Sequence, residues 1–217
     1  MLTENEKYIV EETEKFVKKV LYKAEGGHDW WHIHRVRNLS LKIAKGEGAD
    51  EFVVELAALL HDIADPKFHD GNEEIGPEMA KSFLKSINVE NYIIDHIENI
   101  IRNISFKNSF DEINFNSKEL EIVQDADRID AIGAIGIART FNYGGHIGTE
   151  IYNPDIKPVK FKSKEEYKKT KAPTINHFYE KLLLLKDKMN TKTALKIAEE
   201  RHNFMLQFLN QFYEEWG

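Results

Sequence analysis

The stretch FVVELAALLHDIA, residues 52–64, decides the fold that we predict for this chain. Its apolar residues recur at helical spacing, and Asp50 just before it is of a type that caps helix N-termini. Leu56, Ala57 and Leu60 are expected to face the core. The helix is expected to carry the whole stretch and to be closed by Pro66, since proline disfavours helix in the residue before it. The pair His61–Asp62 lies at the end of this helix, which delivers it to a partly buried place.

Helical spacing also dominates outward from this stretch, and persuasive strand patterns are few. Thr3 and Glu6 fit a capping box for a first helix. Further helices are predicted at about residues 30–45, 73–87, 90–103, 117–141, 173–189 and 193–216. Gly46 is expected to end the second helix, Gly133 and Gly136 to break the sixth or to allow a close helix approach, and residues 141–163 to form a loop. The prediction is an all-α bundle forming a single domain over residues 1–217.

Composition and charge limit the function classes. A net charge of −7 argues against general nucleic-acid binding, which needs a basic surface, but not against a small phosphorylated substrate. The basic stretch 157–171 is better explained as a solvated loop and helix start than as a nucleic-acid patch. Zero cysteines exclude disulfides and thiolate ligands. Neither a membrane-spanning stretch nor a signal-peptide pattern is evident, so we expect a cytoplasmic protein.

The His61–Asp62 pair has the chemistry of a metal site. An ionised carboxylate in a buried place is costly unless it is paired or bound to a cation, and a neutral imidazole beside it suits several divalent metals. The dipeptide alone is weak support, since His-Asp occurs twice more in the chain, at residues 28–29 and 69–70.

Two other segments place metal-ligand residue types on apolar helix faces. His32 shares a stripe with Val36, and Asp127 shares one with Val123 and Ala126. Taken singly, His32 is better explained as a core histidine with its hydrogen bonds satisfied. Asp127 is better explained as a buried aspartate paired with an arginine such as Arg128 or Arg35. Three inward-pointing positions on three helices together favour a metal site of the kind that helical bundles build.

The pattern H…HD…D, formed by His32, His61–Asp62 and Asp127, resembles the HD-domain superfamily of metal-dependent phosphohydrolases. Four longer stretches are similar to a bacterial branch of small HD hydrolases that includes nucleotide pyrophosphohydrolases: HDWWHIHRV (28–36), AALLHDIADPKF (57–68), VQDADRIDAIGAIGIART (123–140) and TINHFYEKLLLLKDKM (174–189). The resemblance implies a helical bundle of the HD type. Its metal-site core would span about residues 28–131, with C-terminal helices at about 173–216 packed on it.

The resemblance also chooses between neighbouring candidates, which are His28, His32 and His34 for the first ligand and Asp125, Asp127 and Asp130 for the last. The family places its ligand four residues before the valine of an RV pair, which selects His32, as does the helical stripe. The A-D-R context selects Asp127, and the other two aspartates are expected to project elsewhere. The implied ligand set is therefore His32, His61, Asp62 and Asp127.

The chemistry implied is hydrolysis of a phosphorylated substrate by a metal-activated water. One divalent ion is expected, from among Mn²⁺, Fe²⁺, Co²⁺, Ni²⁺, Zn²⁺ and Mg²⁺. Asp62 and Asp65 are the predicted catalytic carboxylates, although Asp65 is equally explained as a turn residue before Pro66. A second metal would need His69, His96 or His146, whose sequence contexts match no two-metal pattern. The predicted substrate contacts are Arg35, Lys67, Lys107, Arg128, Arg139, Tyr143 and His177.

The leading hypothesis is that a nucleoside triphosphate is converted to a monophosphate and pyrophosphate. The alternatives are a phosphomonoesterase or phosphodiesterase acting on a nucleotide, a non-catalytic nucleotide-binding sensor, and a structural helical domain with an incidental cluster. The expected partner is a small phosphorylated molecule, with neither a membrane nor extended nucleic acid, and the chain is expected to be a monomer or homodimer.

Overall fold

The computed structural model describes residues 2–22, 29–64, 72–104, 115–159 and 172–217. Asp65, Lys67, His69 and Lys107 lie outside the described residues. Within those ranges the chain is helical and has no strand, which confirms the predicted all-α class. The helices are α1 (Glu4–Val20), α2 (Trp30–Glu47), α3 (Glu51–Leu60), α4 (Ile75–Ser86), α5 (Asn91–Asn103), α6 (Lys118–Asp130), α7 (Gly133–Ile147), α8 (Asn176–Glu180), a 3₁₀ helix (Leu182–Lys188) and α9 (Lys192–Trp216).

The chain divides into two compact units, residues 1–127 and 128–217. In the first unit, α3 is the central helix: it packs against α1, α2 and α5, and α4 packs against α5. Residues 52–60 of α3 are all buried, as its apolar sequence requires. The predicted N-caps are confirmed, since Asp50 accepts from the amides of Phe52 and Val53, and Thr3 forms a capping box with Glu6.

In the second unit, α9 packs against α7 and the 3₁₀ helix, which also contacts α8. Phe141, Phe178 and Phe208 form an aromatic cluster that joins α7, α8 and α9, with ring centroids about 6 Å apart. That residues 1–217 form a single domain stays a prediction. Among the described residues, no helix combines the length and hydrophobicity needed to cross a membrane.

Four predicted helix boundaries were wrong. The third helix, expected to extend through Ala64, ends at Leu60. The second helix continues through Gly46 and ends at Glu47, where Gly48 takes the left-handed conformation (φ 67°) that closes a helix and that a glycine adopts without strain. Residues 141–147, expected to be a loop, complete α7. The helix expected over 173–189 is broken at Lys181 into α8 and a 3₁₀ helix.

Gly133 and Gly144 explain how the second unit packs. The predicted break near Gly133 is confirmed: α6 ends at Asp130, and Gly133 begins α7 with φ 77°, a conformation that disfavours other residues. Gly144 lies inside α7 because a Cβ atom there would stand 2.3 Å from Oγ1 of Thr174. A glycine at this position of the helix therefore allows the close approach of Thr174.

Candidate metal centre

Three helices of the first unit bring the predicted ligands together. His32 lies in the first turn of α2, where the Asp29 carboxylate caps the helix by accepting a hydrogen bond from the His32 amide at 2.9 Å. His61 is the residue at which α3 ends, and Asp62 follows it. Asp127 lies near the C-terminal end of α6. The capping role of Asp29 was missed in the sequence, where His28–Asp29 was treated only as a chance dipeptide.

The donor atoms of three of these residues form a compact cluster. One ligand atom from each of His32, His61 and Asp127 can be chosen so that all three lie within 4.8 Å of one another. The Nε2 atoms of the two histidines are 3.3 Å apart, and His32 Nε2 lies 3.5 Å from Asp127 Oδ1. The Asp62 carboxylate lies at the edge of this cluster, with Oδ2 3.9 Å from His32 Nε2.

The tautomer of His61 follows from its hydrogen bond. Nδ1 lies 2.8 Å from the backbone carbonyl oxygen of Ala58, and only a protonated nitrogen can donate to a carbonyl. Nε2 therefore carries the lone pair and faces the cluster. Burial lowers the pKa of His61 and outweighs the carboxylates of Asp62 and Asp127, which act to raise it. The imidazole is therefore kept in the neutral form that can ligate a metal.

The cluster is buried on its histidine side and open on its carboxylate side. His32 is 3% exposed, whereas the side chain of Asp127 is 43% exposed. The residues that share its helical stripe, Val123 and Ala126, are fully buried, so Asp127 lies at the edge of the apolar face and not within it. A site of this form gives a ligand access from one direction.

The neighbouring candidates have other surroundings. On α2, His34 packs edge-on against Trp31 and its Nε2 lies 3.1 Å from the Asn38 amide nitrogen, while His28 lies outside the described residues. On α6, Asp130 is buried and accepts a hydrogen bond from Arg139 at 2.9 Å. Asp125 is also fully buried, which its sequence context did not predict.

The predicted substrate contacts remain predictions, but the structure shows the surroundings of several. Arg35 is half-buried on α2, one turn after His32. In the second unit, Arg128 donates to the carbonyl of Lys188 at 2.7 Å, and Arg139 pairs with Asp130. These two arginines have structural roles that the sequence did not indicate.

Two further predicted contacts differ sharply in environment. Tyr143 on α7 is 62% exposed, as a residue that meets a ligand from solvent can be. His177 on α8 is half-buried; burial and, secondarily, the nearby charge of Lys181 lower its pKa to about 4. His177 is therefore a neutral group at neutral pH.

Two of the histidines considered for a second metal, His96 and His146, are described by the structure and do not extend the cluster, while His69 lies outside the described residues. His96 Nε2 lies 3.0 Å from Ser117 Oγ and 3.7 Å from Glu119 Oε2, and His146 is exposed on α7. Over the part of the chain that the structure describes, the one group of three or more candidate ligands is His32, His61 and Asp127.

This donor set fits a divalent transition metal. Two imidazole nitrogens with one or two carboxylates form the mixed N/O environment that such ions accept, and the backbone bond that fixes the His61 tautomer is typical of metal-ligating histidines. A cation within the cluster would also offset the charge of the Asp62 and Asp127 carboxylates, whose oxygens lie 3.9 and 3.5 Å from His32 Nε2.

The helical fold and this donor set define the class of the protein. The HD domain family model matches residues 30–132, the span that contains all four predicted ligands. The chain belongs to the HD-domain family of metal-dependent phosphohydrolases, and it is a metal-dependent hydrolase.

Individual relatives match over nearly the whole chain. The Bacillus subtilis (strain 168) protein YpgQ is 39% identical over 209 residues, covering 94% of this chain and 92% of its own. The crystal structure of an HD-superfamily hydrolase from Bacillus thuringiensis is similar at 43% identity with a TM-score of 0.79, covering 97% of this chain and 98% of that one. The structure of B. subtilis YpgQ in complex with ADP has 37% identity and a TM-score of 0.77, covering 97% and 96%.

Proposed function

We propose that this hydrolase cleaves a nucleoside triphosphate to a nucleoside monophosphate and pyrophosphate, using one divalent ion held by His32, His61, Asp62 and Asp127. The observation that carries the proposal is the convergence of His32, His61 and Asp127 from three helices to within 4.8 Å. A divalent ion bound there supplies charge for phosphate oxygens and lowers the pKa of a water molecule.

A nucleotide substrate is supported by a relative and by the shape of the cluster. B. subtilis YpgQ, 37% identical in the aligned structure, was crystallised with ADP. In this chain the open side of the cluster is lined by the carboxylates of Asp62 and Asp127, whose side chains are 19% and 43% exposed. A polyphosphate chain would approach from this side, where Asp62 and Asp127 would help to hold the cation that offsets their charge.

The chain's own residues then orient the substrate and move a proton. Arg35, one turn from His32, is proposed to hold a phosphate oxygen, because a guanidinium can donate two parallel hydrogen bonds to a phosphate. The carboxylate of Asp62, or that of Asp65, accepts the proton of the attacking water. The water oxygen bonds to the α or β phosphorus in line, the bridging P–O bond between them breaks, and monophosphate and pyrophosphate leave.

Product identity tests the proposal most directly. Metal-stripped protein is supplied with Mn²⁺, Fe²⁺, Co²⁺, Ni²⁺, Zn²⁺ or Mg²⁺ and a panel of nucleoside tri-, di- and monophosphates, cyclic nucleotides and simple phosphomonoesters. The expected result is monophosphate plus pyrophosphate from a triphosphate. Orthophosphate released only from monoesters would replace the proposal with a phosphomonoesterase. Nucleotide binding without turnover under every metal would indicate a sensor.

Two histidines on one helix provide a matched test of the site. His32→Gln removes a proposed ligand, whereas His34→Gln alters a histidine two residues along α2 that faces Trp31 and Asn38. The first change is expected to abolish activity and lower the content of bound metal, and the second to preserve both. Equal metal content in His32→Gln and wild-type protein would contradict the ligand assignment.

A further inference from the structure

Arg37 joins three helices of the first unit through one guanidinium group. Its Nε and Nη2 atoms donate hydrogen bonds to Oε1 of Glu55 on α3, at 2.9 and 2.6 Å. Its Nη1 atom donates to Oε2 of Glu14 on α1, at 2.6 Å. Because the guanidinium is planar and its donors have fixed directions, these bonds constrain the rotation of α2 as well as its distance from its neighbours.

Glu55 is exceptional in its surroundings. It is the charged residue within the buried stretch 52–60, and its side chain is 7% exposed. A buried ion pair is an inefficient source of stability, because apolar residues of similar volume often stabilise a fold as well or better. The best-attested use of such pairs is to fix the register of packed helices, which here are α2 and α3.

The proposed metal site depends on the register between α2 and α3. Arg37 is five positions after His32, which places the two residues about 140° apart around α2, with the buried Ile33 and Val36 between them. On α3, Glu55 and His61 are about 120° apart by the same geometry. The ion pair and the histidine pair therefore lie at opposite flanks of the contact between α2 and α3.

A rotation of one helix moves both flanks at once. If α2 turned about its axis, Arg37 and His32 would shift in opposite senses relative to α3, and the 3.3 Å separation of the histidine Nε2 atoms would change with them. Functional sites require their groups to be held within about 0.5 Å, so a small rotation is enough to weaken ligation.

We propose, resting on the proposed function, that Arg37 and Glu55 are positioning residues for the metal site. Their ion pair fixes α2 against α3 so that the imidazoles of His32 and His61 converge on one divalent ion. They act through the two helices and are not ligands. Glu14 extends the constraint to α1, and its other carboxylate oxygen accepts a hydrogen bond from Lys18 at 2.6 Å.

The test separates positioning from stability. The variant Arg37→Met/Glu55→Leu replaces the pair by apolar residues, so no buried charge is left alone. Mn²⁺ affinity of metal-stripped protein is measured by titration calorimetry, and its unfolding midpoint is measured without metal. We expect an unfolding midpoint at or above that of wild type and a Mn²⁺ dissociation constant about 10- to 100-fold higher, the usual effect of losing a residue that orients a ligand.

The control is Lys81→Met/Glu98→Leu, which removes a 2.7 Å ion pair joining α4 and α5 in the same unit. It should leave the Mn²⁺ dissociation constant unchanged. Arg37→Lys keeps the charge but loses the fixed fork of donors, so it should fold and give an intermediate dissociation constant. This variant decides the question if the apolar pair does not fold.

The outcomes distinguish the two proposals. If wild-type protein binds none of Mn²⁺, Fe²⁺, Co²⁺, Ni²⁺, Zn²⁺ and Mg²⁺, the proposed metal site is wrong and the positioning role is overturned with it. If it binds one of these ions but not Mn²⁺, the same titrations are made with that ion. If wild type binds Mn²⁺ and both Arg37 variants bind it equally well, the positioning role alone is overturned. Weaker binding by a folded Arg37 variant, with the α4–α5 control unchanged, supports it, since a purely structural role would change the unfolding midpoint and not the affinity.

Discussion

Replacing Gly144 by alanine tests whether close packing is the reason that a glycine lies inside α7. The added Cβ would lie 2.3 Å from Oγ1 and 3.2 Å from Cγ2 of Thr174, a side chain on a residue that is 6% exposed. It would also lie 3.1 Å from Oγ1 of Thr149, which is within hydrogen-bonding distance of Thr174 at 3.2 Å. The change therefore forces apart a part-buried, hydrogen-bonded pair.

The expected magnitude combines three effects. Overpacking costs about 1–3 kcal/mol, and loss of the threonine hydrogen bond costs about 1 kcal/mol. Alanine has a better helix propensity than glycine, which offsets about 1 kcal/mol. The net destabilisation of Gly144→Ala is therefore about 2 kcal/mol, equivalent to a fall of about 4–8 °C in the melting temperature of a chain of this size.

Gly145 is the matched control. It is the next residue of the same helix, is exposed, and a Cβ added there would meet nothing within 4 Å. Gly145→Ala should therefore raise the melting temperature by about 2–4 °C through helix propensity alone. Both variants are compared with wild type by calorimetry at one pH.

A double-mutant cycle identifies the contact. Thr174→Ala removes both of its atoms that the new methyl group would meet, so Gly144→Ala should cost little in that background. Equal melting temperatures for Gly144→Ala and Gly145→Ala in the wild-type background would refute the packing argument. A cost of Gly144→Ala that persisted in full without the Thr174 side chain would refute the identity of the contact.

Three other predictions concern the buried and ligating residues. The pKa of His177 is lowered to about 4, so between about pH 6.5 and 4 the unfolded chain binds a proton that the folded chain does not. The free energy of unfolding should therefore decrease as the pH is lowered from about 6.5 to about 4, by at most about 3 kcal/mol. Urea titrations of His177→Gln should show a shallower fall, and the same slope in both proteins would contradict it. Asp127→Asn should weaken Mn²⁺ binding at least about 10-fold in calorimetric titration, whereas the exposed Asp95→Asn should not; equal affinities would remove Asp127 from the ligand set. Leu59→Ala, at a fully buried position of α3, should lower the free energy of unfolding by about 2–5 kcal/mol in urea titration, and a loss under about 1 kcal/mol would mean that α3 is not central to the core.

Helix ends were predictable where residues close in sequence determine them. Asp50 and Thr3 are side chains that cap a helix by bonding to amides within the next turn, so their sequence contexts suffice. The break before Gly133 was likewise visible in the sequence. Gly46 misled the prediction because an interior glycine costs a helix only about 1 kcal/mol, while the left-handed cap is formed two residues later at Gly48.

Helix boundaries were predicted wrongly where contacts with residues distant in sequence determine them. Gly144 and Gly145 have low helix propensity, and α7 continues through them in contact with Thr174, thirty residues further along the chain. Such a contact leaves no mark on local spacing. The break at Lys181 also has no signal in the apolar run LLLL that follows it.

The candidate site was predictable in residue type but not in detail. Helical stripes and the resemblance to HD hydrolases together pointed to His32, His61 and Asp127, which the structure brings together. The helical stripe predicted that Asp127 would be more buried than it is. Periodicity indicates which way a side chain points, but not how much of it neighbouring residues cover. The pairing of Arg139 with buried Asp130 was not predictable, since nothing in the sequence identifies one arginine as the partner.

The meeting of α2 and α3 at the two histidines has an electrostatic consequence. His32 lies in the first turn of α2 and His61 directly follows α3, so a helix end of partial positive charge and one of partial negative charge lie near the two histidines and oppose each other. The field at that point is then governed by the carboxylates of Asp62 and Asp127. Without a cation this field repels a polyphosphate, and with a divalent one it is neutralised. The proposed nucleotide should therefore bind only after the ion has entered.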